Sequence, residues 1–599
     1  MIALFQNIFK SEPKVEEKVG KPDKVNDLNF KIGGEAGFGI MAAGLAFAKA
    51  ANRAGLETFG YTEYPSLVRG GYNTYEVKVS EKPFFCAEKE LDLLVALNKE
   101  TFDRSIDTLS QGAGIIYNNE AFELKESDLP DKKVCLLPIP LEKLATSVGG
   151  SKLMNNTVAI GATFGMTSLE FEYFEGVLRD AFKSKGEEII NLNVKAGRAG
   201  YDFADDKFKD KFPYTLRKTE KARKAVISGN DAAALGAVAA GCKLYVGYPM
   251  TPSSTILHSL ADYQIKADMV VKHAADEIEA INMAIGASYA GIRAATGTSG
   301  GGFALMAEAY GLAGITETPL VIFEVQRPGP ATGMPTWTGQ ADLDFVLSAG
   351  QDEFPRIIIA PGDPAEVFEK TFEAFNLAEK YQTTVLVLTD KFLGESIQGT
   401  EIGLEGLKID RGAVISEDEL SKLSEFKRYS LTESGVSTRS LPGQKGGKFV
   451  ANSYEHDELG FTSEKANERV EMMKKRMRKL DSVQANLSKS TFYGKENADV
   501  TIVCWGSTKG PALKAIELLE KQGVSANVLH IVYLNPLPKE LGDTIQDCKK
   551  TLICEGNYSG QLANLIKERF GIEIKNKFLK FDGRPFYPEE IAEKVKEIK

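Results

Sequence analysis

No two of the six cysteines in this 599-residue chain (Cys86, Cys135, Cys242, Cys504, Cys548 and Cys554) stand in a Cys-x-x-Cys spacing. That spacing marks thiolate-held clusters and structural zinc sites. The four histidines are scattered as well, so the chain is expected to hold no metal and no iron–sulfur cluster of its own. Cys548 and Cys554 are close in sequence, but the start of an apolar strand lies between them. Buried, reduced thiols point to a cytoplasmic location. Long hydrophobic runs are also lacking: no window approaches the about 18 apolar residues that a membrane span requires. The chain has no excess of basic residues. Its net charge of −10 argues against nucleic acid as a partner. A hydrophobic share of 43% and a charged share of 26% are those of a soluble globular protein. The length calls for several domains of about 100–200 residues each.

What is present begins with Met1-Ile2-Ala3-Leu4-Phe5-Gln6-Asn7-Ile8-Phe9-Lys10. This apolar start lacks the basic region and cleavage site of a signal peptide. It reads as a docking tail or a frayed helix, with a membrane anchor as the alternative. Residues 11–27, rich in Lys, Glu and Pro, read as a linker. Residues 28–32 form a strand pattern that runs into Gly33-Gly34-Glu35-Ala36-Gly37-Phe38-Gly39-Ile40 and an Ala-rich helix over 41–54. Gly37, Gly39 and Ala42 match G-x-G-x-x-A, which suggests a dinucleotide fold. The same turn also serves other phosphate ligands and plain helix–strand contacts. Strand patterns at 93–97, 114–117 and 134–137 then alternate with helices to about residue 203. A charge-dense stretch at 207–224 precedes a second α/β unit from 226, with strands expected at 243–246, 292–296, 320–324, 356–360 and 384–388. Strands alternating with helices of about 10–15 residues predict a parallel, doubly wound sheet. Residues 409–487 are charged and poor in β-branched runs, with a basic helix at 464–480. Strands at 500–504 and 551–555 belong to a last alternating unit.

The densest information lies in Gly247-Tyr248-Pro249-Met250-Thr251-Pro252-Ser253-Ser254, between an apolar strand and a helix. Thr251 fits an N-cap and Pro252 the first helical position. A hydroxyl and free N–H groups there could hold a carboxylate. Glu277 follows at the head of a helix whose Ile278, Ala280, Ile281, Met283, Ala284 and Ile285 make it apolar on nearly all sides. A carboxylate buried in such surroundings needs a partner. Stabilisation by the helix dipole is the alternative account of Glu277.

These segments resemble the 2-oxoacid:ferredoxin oxidoreductases. Residues 248–254 resemble that family's Tyr-Pro-Ile-Thr-Pro-Ser motif, and residues 276–288 are similar to its thiamine-diphosphate-binding pyrimidine domain. Thr298-Ser299-Gly300-Gly301-Gly302-Phe303 resembles its Thr-Ser-Gly-Pro-Gly-Phe loop, and Arg327-Pro328-Gly329-Pro330-Ala331-Thr332-Gly333 continues the match in order. The turn at 33–40 and Pro65-Ser66-Leu67-Val68-Arg69-Gly70-Gly71 resemble the family's γ domain. Tyr454-Glu455-His456-Asp457-Glu458, Glu555-Gly556-Asn557-Tyr558-Ser559-Gly560-Gln561-Leu562 and Asp582-Gly583-Arg584-Pro585-Phe586 extend the resemblance over nearly everything from residue 29 onward.

The resemblance implies an α subunit with a fused γ domain and a multidomain α/β fold. Residues 1–28 would be tail and linker, 29–205 a Rossmann-like γ domain, and 206–225 a linker. Residues 226–405 would be a pyrimidine-type thiamine-diphosphate domain. Residues 406–494 would link domains and pack on a partner, and 495–599 would be a transketolase C-terminal-type domain. The implied reaction is oxidative decarboxylation of a 2-oxoacid such as pyruvate or 2-oxoglutarate, with coenzyme A as co-substrate and ferredoxin as acceptor. Glu277 would hold the aminopyrimidine ring, with Ser299 and Gly300 against the cofactor; a tight turn is the plain reading of those two. Thr251 and Arg327 would hold the substrate carboxylate, a role to which a planar guanidinium is suited; Arg327 could equally be a surface residue before a turn. Tyr248 and Pro249 would shape the pocket. Ser66, Arg69 and Gly70 would meet coenzyme A, unless Arg69 is structural. The Gly-Asp-Gly…Asn motif for Mg²⁺ and diphosphate is missing. The resemblance therefore assigns Mg²⁺, the diphosphate grip and a [4Fe–4S] cluster to a separate β subunit, in an (αβ)₂ assembly.

One departure stands out. Where many relatives carry Pro-Thr-Arg/Lys-x-Glu-Gln, this chain reads Pro335-Thr336-Trp337-Thr338-Gly339-Gln340. Trp337 would favour an apolar or aromatic substrate side chain over 2-oxoglutarate, or it packs without touching substrate. An indolepyruvate or branched-chain 2-oxoacid enzyme and a non-catalytic scaffold of the same fold stay open, with a nicotinamide-linked dehydrogenase more distant.

Overall fold

Strands covered by helices on both faces must be apolar along their whole length, and the central strands Leu320–Gln326 and Thr384–Asp390 are buried at every position. The computed structural model describes residues 24–65, 71–130 and 132–599. The apolar start and Ser66, Arg69 and Gly70 lie outside the described residues. The strand order of the central sheet is Val270–His273, Leu244–Gly247, Ala294–Thr298, Leu320–Gln326, Thr384–Asp390, Arg356–Ile359 and Tyr533–Asn535. The first six are parallel. An eight-stranded sheet lies N-terminal to it in sequence and a five-stranded one C-terminal. The architecture is multidomain α/β.

Two strands cross the expected boundaries. Ala225–Ser228, anticipated as the start of the second unit, pairs antiparallel with Ile397–Thr400, which pairs with Glu57–Glu63 of the first sheet. Tyr533–Asn535, from the C-terminal unit, closes the edge of the central sheet antiparallel to Arg356–Ile359. In each case an edge strand with unpaired main-chain groups is covered by a segment from another unit.

The charge-dense stretch expected as a linker is partly ordered on the first unit. The helix Glu187–Phe208 runs into it, and Tyr214–Thr215 pairs in parallel with Lys24–Val25. The Tyr214 hydroxyl donates to Asp92 Oδ1 at 2.6 Å. Phe212, Tyr214 and Leu216 are all buried; three apolar anchors among many charges gave no periodic signal. The strand expected at 292–296 lies at Ala294–Thr298, because Arg293 is a buried anchor. Its Nε donates to Glu379 Oε2 at 2.8 Å and its Nη1 to the Ala240 carbonyl at 2.6 Å.

Residues 409–487 are laid down on the second unit of this same chain. The basic helix, Ala466–Gln484, buries Lys475, Arg476 and Lys479. Lys475 and Lys479 bracket Glu317 at 2.6 and 2.5 Å, with all three side chains fully buried. Arg428 donates to the Glu317 carbonyl at 3.0 Å. Glu455 accepts from Arg476 Nη2 and from Arg469 Nη1, each at 2.6 Å. Among the described residues, no helix is long and apolar enough to cross a membrane.

These ion pairs generate two predictions. Glu317→Gln leaves buried ammonium groups without a counter-charge and should destabilise the chain by about 3 kcal/mol, read as a lowered midpoint in thermal unfolding. Burial pushes the Glu455 carboxyl up, but Arg476 and Arg469 outweigh it and hold its pKa at about 2, below the ordinary 4.5. Its contribution to stability is present above pH 4.5 and is lost as pH falls toward 2. Acid unfolding of Glu455→Gln should therefore show a shallower loss than the native chain across that window.

Candidate active site

The strand Leu244–Gly247 ends in a turn that carries Tyr248 to Ser253. The helix after it, Ser254–Tyr263, takes Ser253 as its N-cap, without a side-chain capping bond. The expected capping role of Thr251, with Pro252 as first helical residue, is thus corrected. Residues 251–253 form a turn closed by Ser253 N–H donating to the Met250 carbonyl at 2.9 Å. Asn230 holds the turn from below by donating to the Pro252 carbonyl at 2.9 Å. Arg327 Nη1 donates to the Thr251 carbonyl at 2.6 Å, so two residues 76 positions apart meet. Burial lowers the Arg327 pKa and Asp342 raises it. Tyr248 is exposed and Pro249 half-buried, with the Tyr248 ring 6.1 Å from that of His273.

Glu277 is the first residue of the helix Glu277–Tyr289, but the helix does not need it as a cap. Asp276 caps it by accepting from Glu279 N–H at 2.8 Å. Glu277 is 2% exposed, and its Oε1 has no hydrogen-bond partner. Burial raises its pKa, partly offset by its own backbone N–H and by Thr298. A buried carboxyl oxygen without a partner costs about 1–3 kcal/mol, so the site is built to receive a hydrogen-bonding partner. Gly302, on the first turn of the helix Gly300–Ile315, lies against it. A Cβ there would overlap both Thr298 Oγ1 and Glu277 Oε1. Ser299 caps that helix by position, yet its buried Oγ also lacks a partner. Unpartnered oxygens beside a glycine-lined helix start fit a flat, nitrogen-bearing ring such as an aminopyrimidine. Among the described residues, no group of three or more His, Cys, Asp or Glu is arranged to hold a metal ion.

The helices that frame this point are not apolar only toward the core. Ile278, Met283 and Leu305 are exposed, so part of the apolar surface expected on nearly all sides of the helix faces outward. With Tyr248 they leave an apolar face on the outside of the half-site.

Sequence reasoning missed the acids at the floor. Glu324 lies within the buried strand Leu320–Gln326, and neither of its oxygens meets a donor group. Burial, with the Asp342 carboxylate nearby, pushes the Glu324 carboxyl well up, and burial raises Asp342 to about 6. Asp342 Oδ2 lies 2.5 Å from where a Cβ on Gly300 would be, so only glycine fits there. A lone glutamate in an otherwise apolar run was the available signal.

Past Arg327 the chain makes a tight loop back to the C-terminal unit. Gly333 has a φ of 55°, and a Cβ there would overlap the Pro328 carbonyl. Thr338 N–H donates to the Gly583 carbonyl at 3.2 Å and Gln340 N–H to the Gly556 carbonyl at 2.7 Å. Trp337 is half-buried, and one face of its indole is covered by the Arg584 guanidinium, 3.3 Å from the ring centroid. That face is not open to a substrate side chain. In the first unit, the glycine-rich turn ends at Gly39, which has a φ of 77° and caps the helix Ile40–Arg53. Ala36 N–H donates to the Gly71 carbonyl at 3.2 Å.

Three family models match in order. Pyruvate ferredoxin/flavodoxin oxidoreductase covers residues 29–203, the thiamine-diphosphate-binding pyruvate flavodoxin/ferredoxin oxidoreductase model covers 235–475, and the transketolase C-terminal domain covers 493–592. The 2-oxoacid:ferredoxin oxidoreductase subunit alpha of Saccharolobus solfataricus is 31% identical, over 95% of this chain and 98% of its own length. The 2-oxoglutarate oxidoreductase subunit KorA of Mycobacterium tuberculosis is 29% identical, over 95% of this chain and 92% of its own. Among solved structures, 2-oxoglutarate:ferredoxin oxidoreductase from Magnetococcus marinus superposes with a TM-score of 0.89 at 33% identity, over 96% of this chain and 99% of that one. Fold and matches together define a subunit of a thiamine-diphosphate-dependent oxidoreductase. The chain belongs to the 2-oxoacid:ferredoxin oxidoreductase α-subunit family.

The glycine cradle yields a direct prediction. Gly302→Ala has to displace Glu277 or Thr298, at about 1–3 kcal/mol for overpacking. Thiamine diphosphate affinity of the assembled enzyme, measured by calorimetry, should fall about tenfold, with a lowered thermal midpoint of the chain.

Proposed function

We propose that this chain is the catalytic α subunit, with its γ domain fused, of an enzyme that oxidatively decarboxylates a 2-oxoacid. The products are acyl-coenzyme A, CO₂ and reduced ferredoxin. The observation that carries this reading is the orphaned, buried Oε1 of Glu277 facing Gly302. Thiamine diphosphate, when bound, supplies the carbanion chemistry. The chain's own part is to hold and tune it. The Glu277 carboxyl, raised by burial, holds a proton against a ring nitrogen at Oε1. Ser299 and Gly300 line the same helix start. Thr251, whose hydroxyl is not used for capping, and Arg327 hold the substrate carboxylate. One guanidinium nitrogen of Arg327 is committed to the Thr251 carbonyl, and the remaining donors are free to meet a carboxylate edge. Tyr248 and Pro249 wall the entrance.

The half-site is completed by a β subunit that carries Mg²⁺, the diphosphate grip and a [4Fe–4S] cluster, in an (αβ)₂ assembly in the cytoplasm. The exposed Tyr248, Ile278, Met283 and Leu305 support this, because covering them would also exclude water from a reactive carbanion. Ser66, Arg69 and Gly70 are the proposed contacts for a coenzyme A phosphate. The Magnetococcus marinus enzyme is described with 2-oxoglutarate, coenzyme A and succinyl-CoA bound, which supports a 2-oxoacid and coenzyme A as the substrates here.

The test is anaerobic co-purification from the native host followed by viologen reduction with coenzyme A, thiamine diphosphate and a panel of 2-oxoacids. A brown co-eluting partner and substrate-dependent reduction are expected. Glu277→Ala should lower turnover by about 10²–10⁴-fold, the range of a lost acid–base group. Turnover indifferent to that change would favour a scaffold of the same fold.

A further inference from the structure

Two acids beside the half-site have no part in the chemistry above. Glu324 lies inside the strand Leu320–Gln326, fully buried, and neither of its oxygens meets a donor. Its register neighbours are Thr298 on one side and Leu388 on the other. Register neighbours in a parallel pair point to the same face of the sheet. Thr298 Oγ1 and Glu277 Oε1 both lie against the place a Cβ on Gly302 would take, so Glu324 stands one strand behind the open oxygen of Glu277. Asp342 comes to the same place from the loop. Its N–H donates to Gln326 Oε1 at 3.1 Å, and its carbonyl accepts from Val346 N–H at 2.9 Å. With the main chain fixed in this way, the half-buried side chain reaches Gly300, its Oδ2 2.5 Å from the position of a Cβ there.

Few charges face this pair. Besides Asp342, the group that acts on Glu324 is Asp390, at the end of the neighbouring strand Thr384–Asp390. Asp390 is pushed up by burial and is engaged with Thr338 Oγ1 and Leu393 N–H. Glu277, across Thr298, is pushed up by burial as well. Arg327 is the one cation: it acts on Asp342, and Asp342 is the charge that offsets its burial. A carboxyl enclosed in a sheet with other acids as neighbours gives up its charge, and Glu324 is held well above the usual carboxylate range. Asp342 is raised by burial to about 6, with Glu324 and Arg327 opposing the rise. The pair therefore keeps one proton firmly on Glu324 and a second one loosely on Asp342. The loosely held proton faces the guanidinium to which the substrate carboxylate is assigned.

We propose that Asp342 is the resident counter-ion of Arg327 in the empty site and takes up a proton from solvent when the carboxylate of the 2-oxoacid reaches that guanidinium. This rests on the assignment of Arg327 to the substrate carboxylate. Two carboxylates beside one cation repel each other, and Asp342 is the one able to give up its charge. Glu324, already neutral, adds no third charge. One proton moves from water to an Asp342 oxygen, and no bond between heavy atoms forms or breaks. Departure of the carboxylate reverses the transfer. Asp342 acts through Arg327, as a positioning residue, and Glu324 sets how readily it does so.

In the assembled enzyme, the KM for the 2-oxoacid should rise about tenfold from about pH 6 to about pH 8, the effect of one carboxyl losing its proton beside a bound anion. In Asp342→Asn, which carries no charge at any pH, the KM should stay flat at the native low-pH value. Glu324→Gln, which has the shape of the neutral acid, should keep the native slope. A flat native profile, or the native slope retained in Asp342→Asn, would overturn the proposal, since a part in folding alone leaves a pH profile unmoved. A slope lost in Glu324→Gln would also count against it, by placing the titrating proton on Glu324. Calorimetric titration of the native enzyme with oxamate, an unreactive isostere of a 2-oxoacid, gives a readout without turnover. At about pH 6.5 the apparent enthalpies in phosphate and in Tris should differ, as proton uptake requires; equal enthalpies would sink the idea. Arg327→Gln separates the proposal from the reading it rests on. A raised KM with a flattened slope is expected. An unchanged KM would overturn the Arg327 assignment itself, whereas a raised KM with the native slope would keep that assignment and overturn the proton linkage.

Discussion

Main-chain hydrogen bonding across unit boundaries is the constraint on which the rest depends. Ile397–Thr400 pairs with Glu57–Glu63, and Tyr533–Asn535 pairs with Arg356–Ile359. Each pairing removes an exposed sheet edge and fixes one unit against another in register, which side-chain packing alone does less strictly. The loop from Arg327 to Gln340 inherits that precision. One end leaves a central strand, and the other is bonded to Gly556 and Gly583 of the C-terminal unit. Were the two sheets free to slide, that loop would have no fixed path.

The buried polar groups fall into two sets. Glu317, Glu379 and Glu555 are fully served. Glu317 has two lysines, Glu379 has Arg293 and Arg439, and Glu555 accepts from Leu562 and Ala563 N–H and from Trp505 Nε1. Such networks hold the irregular stretch 409–487 and the C-terminal helices in place. Glu277 Oε1 and Ser299 Oγ, at the starts of two helices, belong with the Glu324 carboxyl to the other set, buried and left without a partner. A protein tolerates that cost where something else will make the bond. The contrast within one chain gives the candidate site its weight, more than the burial of any single residue.

The alternation of strands and helices was readable along the chain because buried parallel strands are short, apolar and bounded by turn residues. The strand Leu244–Gly247 and the start of the helix at Glu277 fall where the pattern placed them. Arg327 and Thr251 could be named from their neighbours in sequence. The acid pair Glu324–Asp342 could not, since its two members are joined by a loop whose path has no periodicity. The packing of the helix Ala466–Gln484 was not legible for a similar reason. Its lysines look like a solvated face, and only the position of Glu317 turns two of them inward.

What the sequence by itself determined is local: which segments are strands, where glycine must stand, and which motif residues carry carboxylate, hydroxyl and guanidinium groups. These follow from backbone sterics and from a hydrophobic period of a few residues. Only the tertiary structure decided which of those groups are satisfied and which are not. It joined Arg327 to Thr251, denied Thr251 its capping role, left Glu277 Oε1 open and set Arg584 upon Trp337. Partnership between side chains hundreds of residues apart depends on sheet register and loop closure, and neither is written in any one stretch of the chain.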